Sequence, residues 1–115
     1  MVTVLGIASL DLTITDQKRL TKELGDTILN VFPDSMFMLR NLSHDSCTGI
    51  APDEITFFVS VDKDLDIDTK RKIVKDLNDK MVEIVGYKGE KKVICIFRYH
   101  DNDGYSENGE LFSYL

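Results

Sequence analysis

The segments DLTITDQKRLTKELGDTILNVF (Asp11–Phe32) and DLDIDTKRKIVKDLNDKMVEIV (Asp64–Val85) decide the fold, because they are two versions of one pattern. A shift of 53 residues relates them, and the match extends into the loop before each segment. Each version places apolar residues at spacings of four, four and three, which is one stripe on a helix. The stripes are Leu20, Leu24, Ile28 and Val31 in the first segment and Ile73, Leu77, Met81 and Ile84 in the second. Any two amphipathic helices can be overlaid, but the matching loops favour a duplicated unit.

Four apolar runs rich in β-branched and aromatic residues flank these helices and predict strands. The runs are Val2–Ala8, Met36–Leu42, Ile55–Val61 and Val93–Tyr99. The sequence therefore predicts an α+β fold with the order β1-α1-β2-β3-α2-β4, a duplicated βαβ unit. Each crossover is expected to join parallel strands, so that one four-stranded mixed sheet carries both helices on one face. Residues 1–115 are expected to form one domain, with pseudo-twofold halves at about 1–50 and 54–115.

The helix ends are expected at residues that can satisfy free backbone groups. Thr15 and Asp68 are predicted N-caps, because their side-chain oxygens can accept an N–H of the first turn. Ile14 and Ile67 precede them as candidate hydrophobic staples. Gly86 is expected to end the second helix.

The apolar runs also predict self-association. A strand with one wet face alternates apolar and polar residues, whereas these runs are nearly continuous, as in sheets covered on both faces. Two helices can cover only one face, and no other segment is long enough to cover the second. A single copy would expose a large apolar patch, so an obligate oligomer of identical copies is expected.

Composition narrows the class of partner. The chain has 14 basic and 20 acidic residues, a net charge of -6, which disfavours nucleic acid and anionic membranes as partners. No secretory signal and no apolar run of transmembrane length is evident. Cys47 and Cys95 lack paired spacing, so a reducing, cytoplasmic compartment is expected.

The tail carries its own signal. Asn108-Gly109 is a strong type I′ turn dipeptide with Tyr105 and Phe112 on either side. A short C-terminal hairpin or edge strand is expected, packed on its own sheet or on a neighbour's.

In length, element order and internal repeat the chain resembles the tautomerase superfamily in its doubled βαβ form, as in macrophage migration inhibitory factor. The segment YSENGELF (Tyr105–Phe112) resembles most the tail of an uncharacterised bacterial branch known as domain of unknown function 1904. The resemblance implies a homotrimer whose sheets line a central barrel, in agreement with the burial argument.

The family's catalytic device is an N-terminal proline freed by removal of the initiating Met. This chain begins Met1-Val2, so Val2 would present a primary amine if Met1 is removed, and that amine could act as a base. Relatives carry a Lys before the proline that follows helix one, whereas this chain has Phe32 there. They place Tyr and Asn on the last strand, where this chain has Ile94 and Ile96. Val2 is thus a catalytic candidate only without Met1.

Three residues are ligand-binding candidates. Arg98 shares a strand face with Ile94 and Ile96, and a cation there suits a carboxylate. Arg40 makes a similar case on the second strand and is equally suited to an intersubunit ion pair. Tyr99 is a candidate pocket hydroxyl. No cofactor is implied, and the loops around His44 and His100 lack a recognised metal-ligand spacing.

The sequence leaves three functions open. The first is a non-catalytic or chemically altered trimer that binds a small acid. The second is an enzyme that uses the N-terminal amine for proton transfer on a small 2-keto or enol acid. The third is a ferredoxin-like ligand-sensing domain, which has the same element order.

Overall fold

A computed structural model describes residues 2–46, 54–86 and 92–111 of the chain. It contains the two predicted helices, the four predicted strands and a small hairpin. In chain order these are β1 (Val2–Ala8), α1 (Ile14–Val31), β2 (Ser35–Asn41), β3 (Glu54–Val61), α2 (Ile67–Val85), β4 (Lys92–Tyr99), β5 (Ser106–Glu107) and β6 (Glu110–Leu111).

The four long strands form one mixed sheet in the order β2-β1-β3-β4. β1 is parallel to β2, β3 is parallel to β4, and the central pair β1 and β3 is antiparallel. The predicted α+β fold is confirmed. The ferredoxin-like alternative is wrong, because that fold inserts another strand between the parallel strands of each split βαβ unit, whereas here they are hydrogen-bonded neighbours.

The core lies between the sheet and the two helices. Alternate residues of β1 and β3 face the helices and are buried, and the three middle stripe residues of each helix meet them. The largest fully buried side chain is Phe57, at the centre of β3. Gly6 lies directly opposite Phe57 on β1, where a Cβ would come within 2.9 Å of the Phe57 ring. The absence of a side chain at Gly6 therefore makes room for Phe57.

The helix starts differ from the predicted ones. The N-caps are Thr13 and Asp66, whose side chains accept hydrogen bonds from the backbone N–H groups of Asp16 and Thr69. The prediction of Thr15 and Asp68 is wrong by two residues. Ile14 and Ile67 are the first helical residues and are more than half exposed, so they form no staple. Gly86 ends α2 in the left-handed conformation as expected, at φ 65°.

The second face of the sheet is open, and we call it the open face. Met38, Leu5, Phe58 and Ile96 form one row across its four strands, and two further rows flank it. Met38 is 41% and Ile96 is 40% exposed. The accessible surface is 7456 Å², about 1,000 Å² more than the roughly 6,400 Å² expected of a compact monomer of this mass. This excess is of the size that an interface would remove.

The hairpin is as expected at its turn, because Asn108 and Gly109 both have positive φ, at 52° and 89°. Phe112 and Cys47 lie outside the described residues. Neither described helix is both long and apolar enough to cross a membrane.

Candidate functional site

Val2 marks the end of the sheet at which the candidate site lies, and we call it the Val2 end. The side chain of Val2 is 6% exposed and faces the helices. Its backbone nitrogen donates to the carbonyl oxygen of Asp34, just before β2, at 3.1 Å. The nitrogen is thus fixed at the corner of the sheet by the parallel pairing of β1 with β2.

β4 ends at the Val2 end and brings Arg98 and Tyr99 there. Arg98 pairs with Ser60, and Ser60 pairs with Thr3, so Arg98 lies one residue from the level of Val2. Two strand spacings separate β4 from β1, about 10 Å. Arg98 lies on the open face, and Tyr99, the next residue, lies on the opposite face and is 59% exposed.

Arg40 lies at the other end of the sheet. It pairs with Ile7, near the end of β1, and β2 is the edge strand opposite β4. Three strand spacings and four residues along the strand separate Arg40 from Arg98, roughly 20 Å. Within one copy, the structure therefore does not bring the two predicted arginines together.

A cavity of about 540 Å³ opens on the helix side near the Val2 end. Val31, Phe32 and Leu65 give it apolar walls, and Lys63, in the loop after β3, supplies a cation. Its volume is within the range of small-molecule sites. The sequence analysis missed Lys63, because nothing in the sequence shows that the end of α1 and the loop after β3 face one cavity.

The cations of this region are unequally paired. Asp64, another residue of the cavity, is neutralised by Lys70 at 3.2 Å. Lys63 and Arg98 have no ion-pair partner among the described residues. The open face carries Arg40, Lys92 and Arg98 against Glu54, although the whole chain is acidic. The protein thus concentrates unneutralised positive charge on the face it leaves open.

A strap from His100 to Tyr105 crosses the Val2 end. The backbone nitrogen of His100 donates to Val61 at the end of β3, at 3.0 Å. The Tyr105 hydroxyl donates to Glu107 at 3.0 Å. This hydrogen bond, with burial and the charges of Glu107 and Asp34, raises the pKa of Tyr105. Tyr105 is therefore close enough to feel Asp34, the residue that holds the nitrogen of Val2.

Metal ligation finds no support in the parts of the chain that the structure describes, where no three His, Cys, Asp or Glu side chains form a group that could hold a metal ion.

The fold matches solved structures, although no protein-family model and no curated protein matches the sequence. Macrophage migration inhibitory factor of Toxoplasma gondii superposes with a TM-score of 0.75 at 12% identity, over 96% of this chain and 99% of that one. A fused 4-OT symmetric trimer gives 0.74 at 13% identity, over 96% of both chains. A malonate semialdehyde decarboxylase inhibited by 3-bromopropiolate gives 0.73 at 14% identity, over 97% of this chain and 93% of that one.

These neighbours are members of the tautomerase superfamily. The identities are low and the coverage is nearly complete, so the likeness is one of fold. The chain has the tautomerase fold, as the sequence resemblance implied.

Proposed function

We propose that this protein is a homotrimer of tautomerase-fold subunits that binds a small carboxylate at the Val2 end, with chemistry altered by the lack of an N-terminal proline. The observation that carries the proposal is the cavity near the Val2 end, which combines apolar walls with the unpaired cation of Lys63. A carboxylate with a small apolar body matches both features.

The trimer is supported by the open face. Its rows of apolar side chains need a cover, and the chain supplies none from its own described elements. The fused 4-OT that shares the fold is a symmetric trimer. Because β2 and β4 are unlike edges, a head-to-tail contact between them closes a ring.

The proposed site is shared between two copies. Arg98 lies on the open face and Lys63 on the helix side, so a single copy cannot direct both cations into one cavity. Once the open face of one copy meets the next, Arg98 of the neighbouring copy joins Lys63 at the cavity. The decarboxylase that shares the fold is inhibited by 3-bromopropiolate, itself a small carboxylate.

Complementation between variants tests this arrangement. Phenylpyruvate, an aromatic 2-keto acid, is the probe, and its binding is measured by saturation-transfer NMR. Lys63→Gln and Arg98→Gln are each expected to lose most binding alone. Co-expressed, they are expected to regain about a quarter of the sites, because a mixed ring pairs an intact Lys63 with an intact Arg98. Loss of binding in both variants without recovery on mixing would contradict a shared site, and wild-type protein that does not bind would overturn the carboxylate proposal.

A second candidate function is proton transfer by the amine of Val2. The observation that favours it is the hydrogen bond from the Val2 nitrogen to Asp34. A neutral primary amine that donates one hydrogen there keeps its lone pair, which can accept a proton. Intact-mass spectrometry tests the requirement, because full retention of Met1 removes this amine.

Two finer assignments belong to the proposal. The tail motif Tyr105–Phe112 supports placement in the branch known as domain of unknown function 1904. The two cysteines without paired spacing support a cytoplasmic location.

A further inference from the structure

The strap over the Val2 end contains a stacked pair of rings, His100 and Tyr105. Their centroids are 5.5 Å apart and the planes differ by 18°. Both side chains are half-buried, whereas every residue from Asp101 to Gly104 is exposed. The two rings therefore anchor the strap, and an imidazole is held in place next to the proposed carboxylate site.

The position of the strap follows from its two ends. At one end, His100 is bonded to Val61, which follows Ser60, the residue beside Thr3 on the neighbouring strand. At the other end, Tyr105 responds to the charge of Asp34, at the start of β2. Since the sheet order is β2-β1-β3-β4, the strap spans the strand between them, and that strand begins at Val2.

The hydrogen bond of the imidazole selects one tautomer. Nδ1 of His100 lies 3.4 Å from the carbonyl oxygen of Asp101, which can only accept. Nδ1 therefore carries the hydrogen in the neutral ring, and Nε2 keeps a basic lone pair. A positioned imidazole of this kind is the commonest proton-transfer group near neutral pH.

The charged groups around the imidazole are mostly acidic. On the strap itself, the Asp101 carboxylate accepts the backbone N–H of Asp103. From the hairpin, Glu107 accepts the hydroxyl hydrogen of Tyr105, and from β2, Asp34 acts on the same hydroxyl. This surrounding charge stabilises an imidazolium formed by proton uptake.

We infer that His100, rather than the N-terminal amine, moves protons at the Val2 end, on a 2-keto acid bound as proposed above. Nε2 takes a proton from the carbon next to the keto group. The C–H electron pair becomes the new C=C bond, and the keto oxygen takes the carbonyl π pair. The imidazolium then gives its proton to that oxygen, so keto acid becomes enol with no other reactant.

This assignment explains how the chain can do without the proline. The nitrogen of Val2 is already engaged with Asp34, and it is an amide for as long as Met1 remains. His100 requires neither removal of Met1 nor a free amine. Proton transfer is thus expected whether or not Met1 is retained.

Hydrogen exchange on phenylpyruvate tests the inference. The C3 hydrogens are followed by ¹H NMR in D₂O, with the uncatalysed rate subtracted, and binding is measured on the same samples by saturation transfer. Wild-type protein is expected to catalyse exchange with a rate that rises with pH as an imidazole loses its proton. His100→Ala is expected to keep binding within about twofold and to lose at least tenfold in exchange, because general-base catalysis contributes roughly 10²–10⁴-fold. Added imidazole is expected to restore part of the rate.

Three other results overturn the inference, and they are distinguishable. If His100→Ala binds and exchanges like the wild type, another group moves the proton. If wild-type protein binds without catalysing exchange, the carboxylate site stands and His100 has no catalytic role. If wild-type protein does not bind, the proposed site fails and the inference fails with it. An unchanged melting temperature in His100→Ala, together with rescue by imidazole, separates lost chemistry from lost structure.

Discussion

Arg40 and Arg98 occupy equivalent positions in the two halves of the chain, yet they lie at opposite ends of the sheet. Arg40 pairs with Ile7 and Arg98 pairs with Ser60, and the 53-residue shift of the repeat relates Ile7 to Ser60. Because β1 and β3 are antiparallel, equivalent residues of the two halves lie at opposite ends. Only Arg98 is therefore at the Val2 end.

This relationship provides a matched pair of variants. We expect Arg98→Gln to weaken phenylpyruvate binding by at least about tenfold, since a hydrogen bond to a charged group contributes roughly 1.5–3 kcal/mol. Arg40→Gln removes the same charge from the same strand position and is expected to change binding by less than about twofold. Titration followed by saturation-transfer NMR measures both. Equal losses in the two variants would show that only net charge matters.

The open face provides a test of assembly. Ile96→Glu places a carboxylate in the central apolar row, where burial against another copy would be costly. We expect wild-type protein to sediment at three times the 13.1 kDa chain mass and Ile96→Glu at the chain mass, with unchanged far-UV circular dichroism. Val74→Glu is the control, because Val74 is similarly exposed but lies on α2, and this variant is expected to remain assembled. A wild-type monomer at micromolar concentration would contradict the proposed trimer.

The sequence predicted the architecture well because the pattern of apolar residues determines it. Each predicted strand agrees with the structure to within one residue at either end, and the repeat correctly placed both helices. The N-caps were wrong because Ile14 and Ile67 look like residues that precede a cap. Both are in fact the first helical residue, and their exposure shows that no apolar contact fixes their position.

The observed caps, Thr13 and Asp66, are equivalent residues with different chemistry. Thr13→Ala is expected to cost about 1 kcal/mol with little pH dependence. Asp66 differs because the backbone hydrogen bond from Thr69 lowers the pKa of its carboxyl. The stabilisation from Asp66 is therefore present above the carboxyl's unfolded pKa and is lost as the pH falls through the folded value.

Urea unfolding of both variants between pH 7 and pH 3 checks this difference. The cost of Asp66→Ala is expected to shrink as the pH falls, whereas that of Thr13→Ala stays nearly constant. Parallel curves for the two variants would show that the Asp66 carboxylate contributes no more than a neutral cap.

The candidate site was only partly predictable from the sequence, because three of its features depend on long-range geometry. Lys63 faces the cavity only because the end of α1 and the loop after β3 meet there. His100 was noted with Asp101 and Asp103 as part of a loop cluster, but the path of the strap across the sheet depends on strand order. Arg98 was correctly placed on its strand face, since alternation along a strand is a local property.

The contact between Gly6 and Phe57 predicts a sensitive point in the core. A Cβ on residue 6 would lie 2.9 Å from Cε1 of Phe57 and 3.3 Å from a methyl of Leu39. Gly6→Ala is therefore expected to destabilise the protein by about 1–3 kcal/mol through overpacking. In Gly6→Ala/Phe57→Leu the smaller side chain makes room, so the combined loss in urea unfolding is expected to be less than the sum of the single losses. Simple additivity would show that the two residues do not compete for space.

Cys95 provides the last prediction, because burial raises the pKa of its thiol to about 11. The thiolate is the reactive form, so in a Cys47→Ser background native protein at pH 8 is expected to react with iodoacetamide on the order of 100-fold more slowly than urea-unfolded protein. The folded pKa lies above the unfolded value, so the stabilisation from keeping the thiol neutral is complete below about pH 8.5 and is lost as the pH rises toward 11. Unfolding midpoints of Cys47→Ser are therefore expected to fall more steeply between pH 8 and pH 10.5 than those of Cys47→Ser/Cys95→Ala. Fast labelling of the native protein, with parallel midpoint curves, would place the thiol in water instead of against the core.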